Sequence, residues 1–203
     1  MTGILSRLAP SQAGLAPPPA GYPRTAMHDP SALTYVVLDV PEPQASAVMS
    51  IRQAHHDLFR AALPVEITLT DSIDPSQDPD DAFEALENVA AETQPIRTSF
   101  LKAHRFPDSD TFVMRLADEM PFRDLRNRIE ATGIAFQPSE YAFIPHCTLR
   151  TRSPVSEENA RQLLDTEILG PMVLDTLSIY TLTRAATPSG VSCELRQRLQ
   201  LGG

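Results

Sequence analysis

The chain is short of several things at once. It holds a single lysine, Lys102, and 17 basic residues against 26 acidic ones, for a net charge of −9. A field of that sign repels polyanions at long range, so no broad nucleic-acid surface is expected; a small phosphorylated substrate, or one RNA end held by a local cluster, stays compatible with it. No run of about 18 apolar residues occurs, which argues against a helix spanning a membrane. The N-terminus lacks a charged-then-apolar leader, so a cytoplasmic location is expected. There are only two cysteines, Cys147 and Cys193. Both sit in apolar, strand-like contexts and read as buried reduced thiols rather than a disulfide or a metal pair. No Asp-x-Asp-x-Asp-Gly loop is present, and His55, His56 and Asp57 are consecutive, so they cannot share one helix face. No metal and no cofactor are expected.

What is present is enough apolar material, 42% of 203 residues, for one sizeable core or two small lobes sharing one. Residues 1–32 include "APPPAGYPRTAMHDPSA", with no apolar period, and read as a disordered or loosely attached tail. Met27 is a possible alternative start, which mass spectrometry of the native N-terminus would settle. Residues 33–203 read as one bilobal domain, taken to act as a monomer. Strands are expected at 34–40 and 65–70, and helices over 43–60 and 80–93. A hairpin follows over 96–106 and 111–117, then a helix marked by Phe122, Leu125 and Ile129 and closed by Gly133. A strand "YAFIPHCTLRT" precedes a helix capped by Ser156, and "MVLDTLSIYTLTR" with "GVSCELRQRLQL" makes a final strand pair.

Lined up, these elements repeat. Helix, strand, helix, hairpin occurs over 43–117 and again over 122–201. The fold class expected is α+β, with two similar, pseudo-twofold lobes and antiparallel sheets facing a central cleft. Glu66 and His146 hold matching places, 80 residues apart. Side chains alternate along a strand, so His146, Thr148, Arg150 and Arg152 are expected on one face, with Cys147 and Leu149 in the core. In the first copy Glu66, Thr68 and Thr70 share a face, and Ile67 and Leu69 point inward.

"HCTL" beside an internal repeat resembles the 2H phosphoesterase superfamily, which includes the bacterial 2′-5′ RNA ligase and RNA cyclic phosphodiesterase group. Its members carry two His-x-Thr/Ser-x motifs, one per lobe, and the resemblance spans residues 33–201. It implies a cleft in which His146 is a catalytic residue and Thr148 and Thr68 donate to phosphate oxygens. The first motif's histidine falls at Glu66, while Ile67-Thr68-Leu69 keeps the remainder of the pattern.

Three functions follow. In the first, a metal-independent phosphoesterase acts on a cyclic phosphodiester or a 2′,3′-cyclic RNA or nucleotide end, with Glu66 as base and His146 as acid. A carboxylate near a phosphate is repelled by several kcal/mol at ~4 Å and an effective dielectric near 20. Arg150 or Arg152 is expected to offset this as a phosphate-binding guanidinium. In the second, the site is catalytically degenerate and binds a phosphorylated ligand or a protein partner; Glu66 is then an inert, substituted position or a salt-bridge partner of Arg150 or His146. A hydrolase for a cationic or neutral substrate is a third possibility. Eight acids and no base between residues 71 and 92 read as a solvated loop and helix start. His104 either lines the cleft or sits on the surface. Tyr141 and Phe143 read as strand packing rather than a base-stacking platform.

Overall fold

A computed structural model describes residues 32–152 and 154–202. The tail expected at 1–32 therefore lies outside the described residues, except for Ala32. The order is β1 (Leu33–Asp39), α1 (Gln44–Ala54), α2 (Leu58–Ala61), β2 (Glu66–Thr68), α3 (Pro79–Ala91), β3 (Ile96–Arg105) and β4 (Phe112–Leu116). Then come α4 (Met120–Glu130), β5 (His146–Arg150), α5 (Glu157–Leu164), β6 (Pro171–Leu174), β7 (Thr176–Arg184) and β8 (Val191–Gln200). Two four-stranded sheets form, in the orders β2-β1-β7-β8 and β5-β4-β3-β6, and every pairing is antiparallel. The expected α+β, two-sheet architecture is what the chain adopts.

Local chemistry accounts for the element ends. Ser156 caps α5 by accepting from the Asn159 N–H, and Asp78 caps α3 by accepting from that of Asp80. Asp80 and Asp81 then sit in the first turn of α3, where the helix dipole favours carboxylates. Gly133, at φ +86°, turns the chain out of α4. The inward residues of both motif strands, Ile67, Leu69, Cys147 and Leu149, join one continuous core with Val36, Leu38, Leu86 and Leu125. Burying these side chains contributes about 1.5–3 kcal/mol each.

Three expectations change. The single helix over 43–60 is two helices: α1 ends at Ala54, His56 adopts φ +54°, and the Asp57 carboxylate accepts from the Arg60 N–H at 2.8 Å to start α2. Local capping by Asp57 outcompetes helix continuation. The strand read through "MVLDTLSIYTLTR" breaks at Asp175. Its first half, β6, pairs with β3 and its second half, β7, with β1 and β8, so the chain changes sheet there. The repeat also begins one strand earlier than the periodicity suggests. β1 lies beside β2 as β4 lies beside β5, so the unit is strand, helix, motif strand, helix, strand.

Candidate functional site

β2 and β5 are edge strands of different sheets, and they meet along a seam. The Glu66 backbone N–H reaches the Cys147 thiol on the core side of that seam. Because Ile67, Leu69, Cys147 and Leu149 share one core, alternation sends Glu66, Thr68, His146 and Thr148 to the opposite, polar side. Both strands start on an ionisable residue, Glu66 in β2 and His146 in β5. The structure thus brings the two halves together.

The seam is braced from beneath by Arg52 of α1, which is fully buried. Its Nε and Nη2 donate to the Thr148 carbonyl at 3.1 and 2.9 Å, and its Nη1 donates to the carbonyls of Arg60, Leu63 and Pro64 at 3.1, 3.3 and 2.9 Å. One guanidinium therefore fixes the middle of β5 against the segment leading into β2. Asp57 adds a second tie: its other oxygen accepts from the Thr151 N–H at 2.7 Å, so the residue that caps α2 also holds the end of β5.

Glu66 is 7% exposed. Its Oε1 lies 3.2 Å from the Arg60 Nη1, and its Oε2 accepts from the Thr68 hydroxyl at 2.8 Å. Burial lowers the Arg60 pKa to about 10, with Glu66 opposing that shift. The cation compensating Glu66 is thus Arg60, not Arg150, Arg152 or His146 as expected from sequence. The only signal in the sequence is proximity: Arg60 is the nearest arginine to a carboxylate that, if buried, must find one.

His146 is half-buried, and its Nδ1 lies 2.6 Å from the Ile144 carbonyl oxygen. A carbonyl only accepts, so Nδ1 carries the proton and Nε2 is the ring's acceptor when neutral. The imidazole pKa is lowered, first by burial. The Ile144 contact and the Glu66 charge oppose this, while Arg60 and Arg115 add to it. The ring also meets Phe106 edge-on at 5.0 Å. Thr148 is buried on the same face, beside Val113. His104 pairs with Val113 in the next strand and is exposed, so it lies on this face at its outer edge, edge-on to Phe106 at 6.4 Å.

Arg150 and Arg152 do not continue the His146–Thr148 face. A register shift between Phe112 and Val113 sets Arg150 opposite the core residue Phe112. Arg150 Nε contacts the His55 carbonyl, at the end of α1, at 3.5 Å. Such a bulge interrupts the alternation on which the expectation rested. Arg152 lies beyond the strand at φ +73°, with its guanidinium 3.3 Å from the Phe59 ring centre. Phe143 precedes β5 rather than packing in it, and its ring lies 4.7 Å from the Arg126 guanidinium. Cys147 and Cys193 are both free thiols, pushed up to about 11 chiefly by burial, and Cys193 is only half-buried.

A family model described as the 2′-5′ RNA ligase superfamily matches residues 40–185, more than half of the chain. The chain belongs to the 2′-5′ RNA ligase superfamily. Solved structures agree on the fold of this 2H phosphoesterase group. TT0787 of Thermus thermophilus superposes with a TM-score of 0.56 at 15% identity, over 83% of this chain and 97% of that one. E. coli LigT complexed with 3′-AMP gives 0.56 at 15%, over 84% and 98%. The same E. coli protein complexed with phosphate gives 0.52 at 12%, over 84% and 98%. At such identities the likeness shows the fold alone. No curated protein matches the chain. Among the described residues, no helix is long and apolar enough to cross a membrane.

Sequence reasoning missed Arg52, Asp57, Arg60 and Arg115. The first three lie in the α1–α2 region, read as one amphipathic helix in which an arginine belongs to the solvated side. Arg115 stands opposite His146 in β4, a neighbour that only strand pairing reveals. Tyr35 of β1 was also unremarked. Its hydroxyl is pushed well above its usual pKa by burial first and then by Asp71, so it keeps its proton.

Proposed function

We propose that this superfamily member binds a small phosphate ester, a nucleotide or an RNA terminal phosphate, through the β5 half of the seam, and that Glu66 does not complete a catalytic pair with His146. The observation that carries this is the engagement of both Glu66 oxygens, by Arg60 and Thr68, in a buried setting. Accepting a proton neutralises the carboxylate and removes the charge that Arg60 faces. A general base has to reach the proton it removes, and both oxygens here already face protein donors. Thr68 directs its proton at Glu66, so it is not poised to donate to a phosphate oxygen. Among the described residues the β5 half has no such internal partner for its imidazole Nε2, and the Ile144 contact orients the ring. E. coli LigT structures with 3′-AMP and with phosphate suggest the ligand class.

The hydrolytic alternative keeps Glu66 as base, His146 as acid, Thr68 and Thr148 as phosphate donors and no metal. One observation favours it: Arg60 supplies the positive charge that lets a phosphate approach Glu66. Calorimetry with 3′-AMP and an assay of 2′,3′-cyclic AMP opening in EDTA separate the two. The proposal expects 3′-AMP binding that His146→Ala weakens at least tenfold, with ring opening at background. Turnover abolished by both Glu66→Gln and His146→Ala would replace it with the Glu/His hydrolase. Failure to bind 3′-AMP would overturn it outright.

A further inference from the structure

We propose that Arg115 is the anion-binding residue of this site and that it makes the site prefer a phosphate monoester to a cyclic diester. The inference rests on the phosphate-binding reading above. Arg115 and His146 are direct cross-strand partners, so both side chains leave the same face of the sheet. The guanidinium is close enough for its charge to act on the imidazole.

Its surroundings hold it ready without using it up. Nη2 of Arg115 is anchored on Glu119 Oε1, while its Nε is buried and has no hydrogen-bond acceptor among the described residues. The Arg115 side chain is 39% exposed, and a phosphate oxygen is the acceptor a guanidinium edge fits best. The other oxygen of Glu119 takes Nη2 of Arg123 at 2.8 Å, and Arg123 Nη1 donates to the Phe143 carbonyl at 3.1 Å. That carbonyl directly precedes Ile144, whose own carbonyl orients His146. Two guanidiniums thus share one carboxylate, leaving an excess of one positive charge next to the ring. Arg126, the next cation along α4, faces Asp71 and Glu130 instead. On the other side of the seam Arg60 and Glu66 cancel. Attraction for an anion is therefore concentrated at Arg115. A monoester carries about −1.5 to −2 at neutral pH against −1 for a cyclic diester, so it gains more from that excess charge.

Calorimetric titration of the wild-type chain, Arg115→Leu and Arg115→Lys with 3′-AMP and with 2′,3′-cyclic AMP tests this. Wild type is expected to bind the monoester about tenfold more tightly than the cyclic diester. Arg115→Leu weakens 3′-AMP by roughly 10- to 100-fold and erases the preference, with the melting temperature unchanged. Arg115→Lys keeps the preference and loses several-fold in 3′-AMP affinity, since an ammonium lacks the planar fork. Wild-type affinity for 3′-AMP in a folded Arg115→Leu protein overturns the proposal while sparing the phosphate-binding reading. Should Arg115→Leu fail to fold, undiminished affinity in Arg115→Lys overturns it. Wild-type protein that binds neither ligand removes both.

Discussion

β2 and β5 occupy corresponding edges of the two sheets, send their apolar residues into one core and start on an ionisable side chain. Their polar groups nevertheless meet different partners. In β2 the carboxylate of Glu66 closes on Arg60 and Thr68, so both its oxygens are engaged within the protein. In β5 the imidazole is oriented from behind by a backbone carbonyl, with Arg115 at its side. Strand position alone therefore does not set the chemistry; the side chains arriving from neighbouring elements do. What the two strands have in common is the brace, Arg52, and the comparison is broken most severely by removing it. Arg52→Met removes the buried side-chain donor of the Thr148, Leu63 and Pro64 carbonyls and leaves the Arg60 carbonyl the Leu63 N–H. The expected loss is about 4–5 kcal/mol by urea unfolding. A loss below about 1 kcal/mol would mean that the seam is held by other contacts.

The next test acts on β2 alone. Arg60→Met strands the Glu66 carboxylate in a buried position and is expected to cost about 3 kcal/mol. The pair Arg60→Met with Glu66→Met replaces both charges by apolar volume and should recover most of that loss, because desolvating two charges offsets much of their attraction. The coupling read from the double-mutant cycle gives the strength of the pair. Additive effects would show that Arg60 and Glu66 do not depend on each other, and with that the contrast between the strands would vanish.

The contrast also shows what a sequence can disclose. Alternation correctly sent Ile67, Leu69, Cys147 and Leu149 to the core, because apolar burial follows strand period wherever the ladder is regular. Ser156 and Gly133 announced helix ends through local chemistry that does not depend on the rest of the fold. The duplication was visible too, since each copy must build its own strand and covering helix. Arg150 was misplaced because a bulge in β5 depends on its pairing with β4, which no local pattern encodes. Arg52 and Arg60 were missed for a related reason. A helix arginine reads as solvated until the fold lays four carbonyls, or a carboxylate, around it. The sites of long-range polar contact are thus the least legible, and they are the ones that separate β2 from β5.

Acid sharpens the β5 side. Burial lowers the His146 pKa below its ordinary 6.5, so the folded state takes up its proton later than the unfolded chain. Above about pH 6.5 both states are neutral there and the residue's contribution is intact. As pH falls below that value the unfolded chain binds the proton first, and stability declines until the folded state's own pKa is passed. His146→Gln should therefore unfold with a flatter pH dependence just below about pH 6.5 than wild type. A phosphate beside the ring favours the imidazolium, so 3′-AMP binding should take up protons over the same range in wild type and not in His146→Gln. Proton uptake of equal size in both proteins would place the ligand elsewhere.

The smallest effects give the finest discrimination, because they compare like with like. Thr68 and Thr148 lie two residues after the ionisable residue of their strands, and valine matches threonine in shape while lacking the hydroxyl. Thr68→Val removes the donor to Glu66 Oε2, and with the strand half-exposed at that point the cost is about 1 kcal/mol of stability. Phosphate affinity is expected to stay within about twofold of wild type, since that hydroxyl already serves the carboxylate. Thr148→Val should do the reverse on affinity, weakening 3′-AMP about fivefold through loss of roughly one hydrogen bond. If both substitutions weaken the ligand equally, Thr68 must turn from Glu66 to the phosphate on binding. The first half of the seam would then be a working partner of the second, and the hydrolytic alternative would regain its ground.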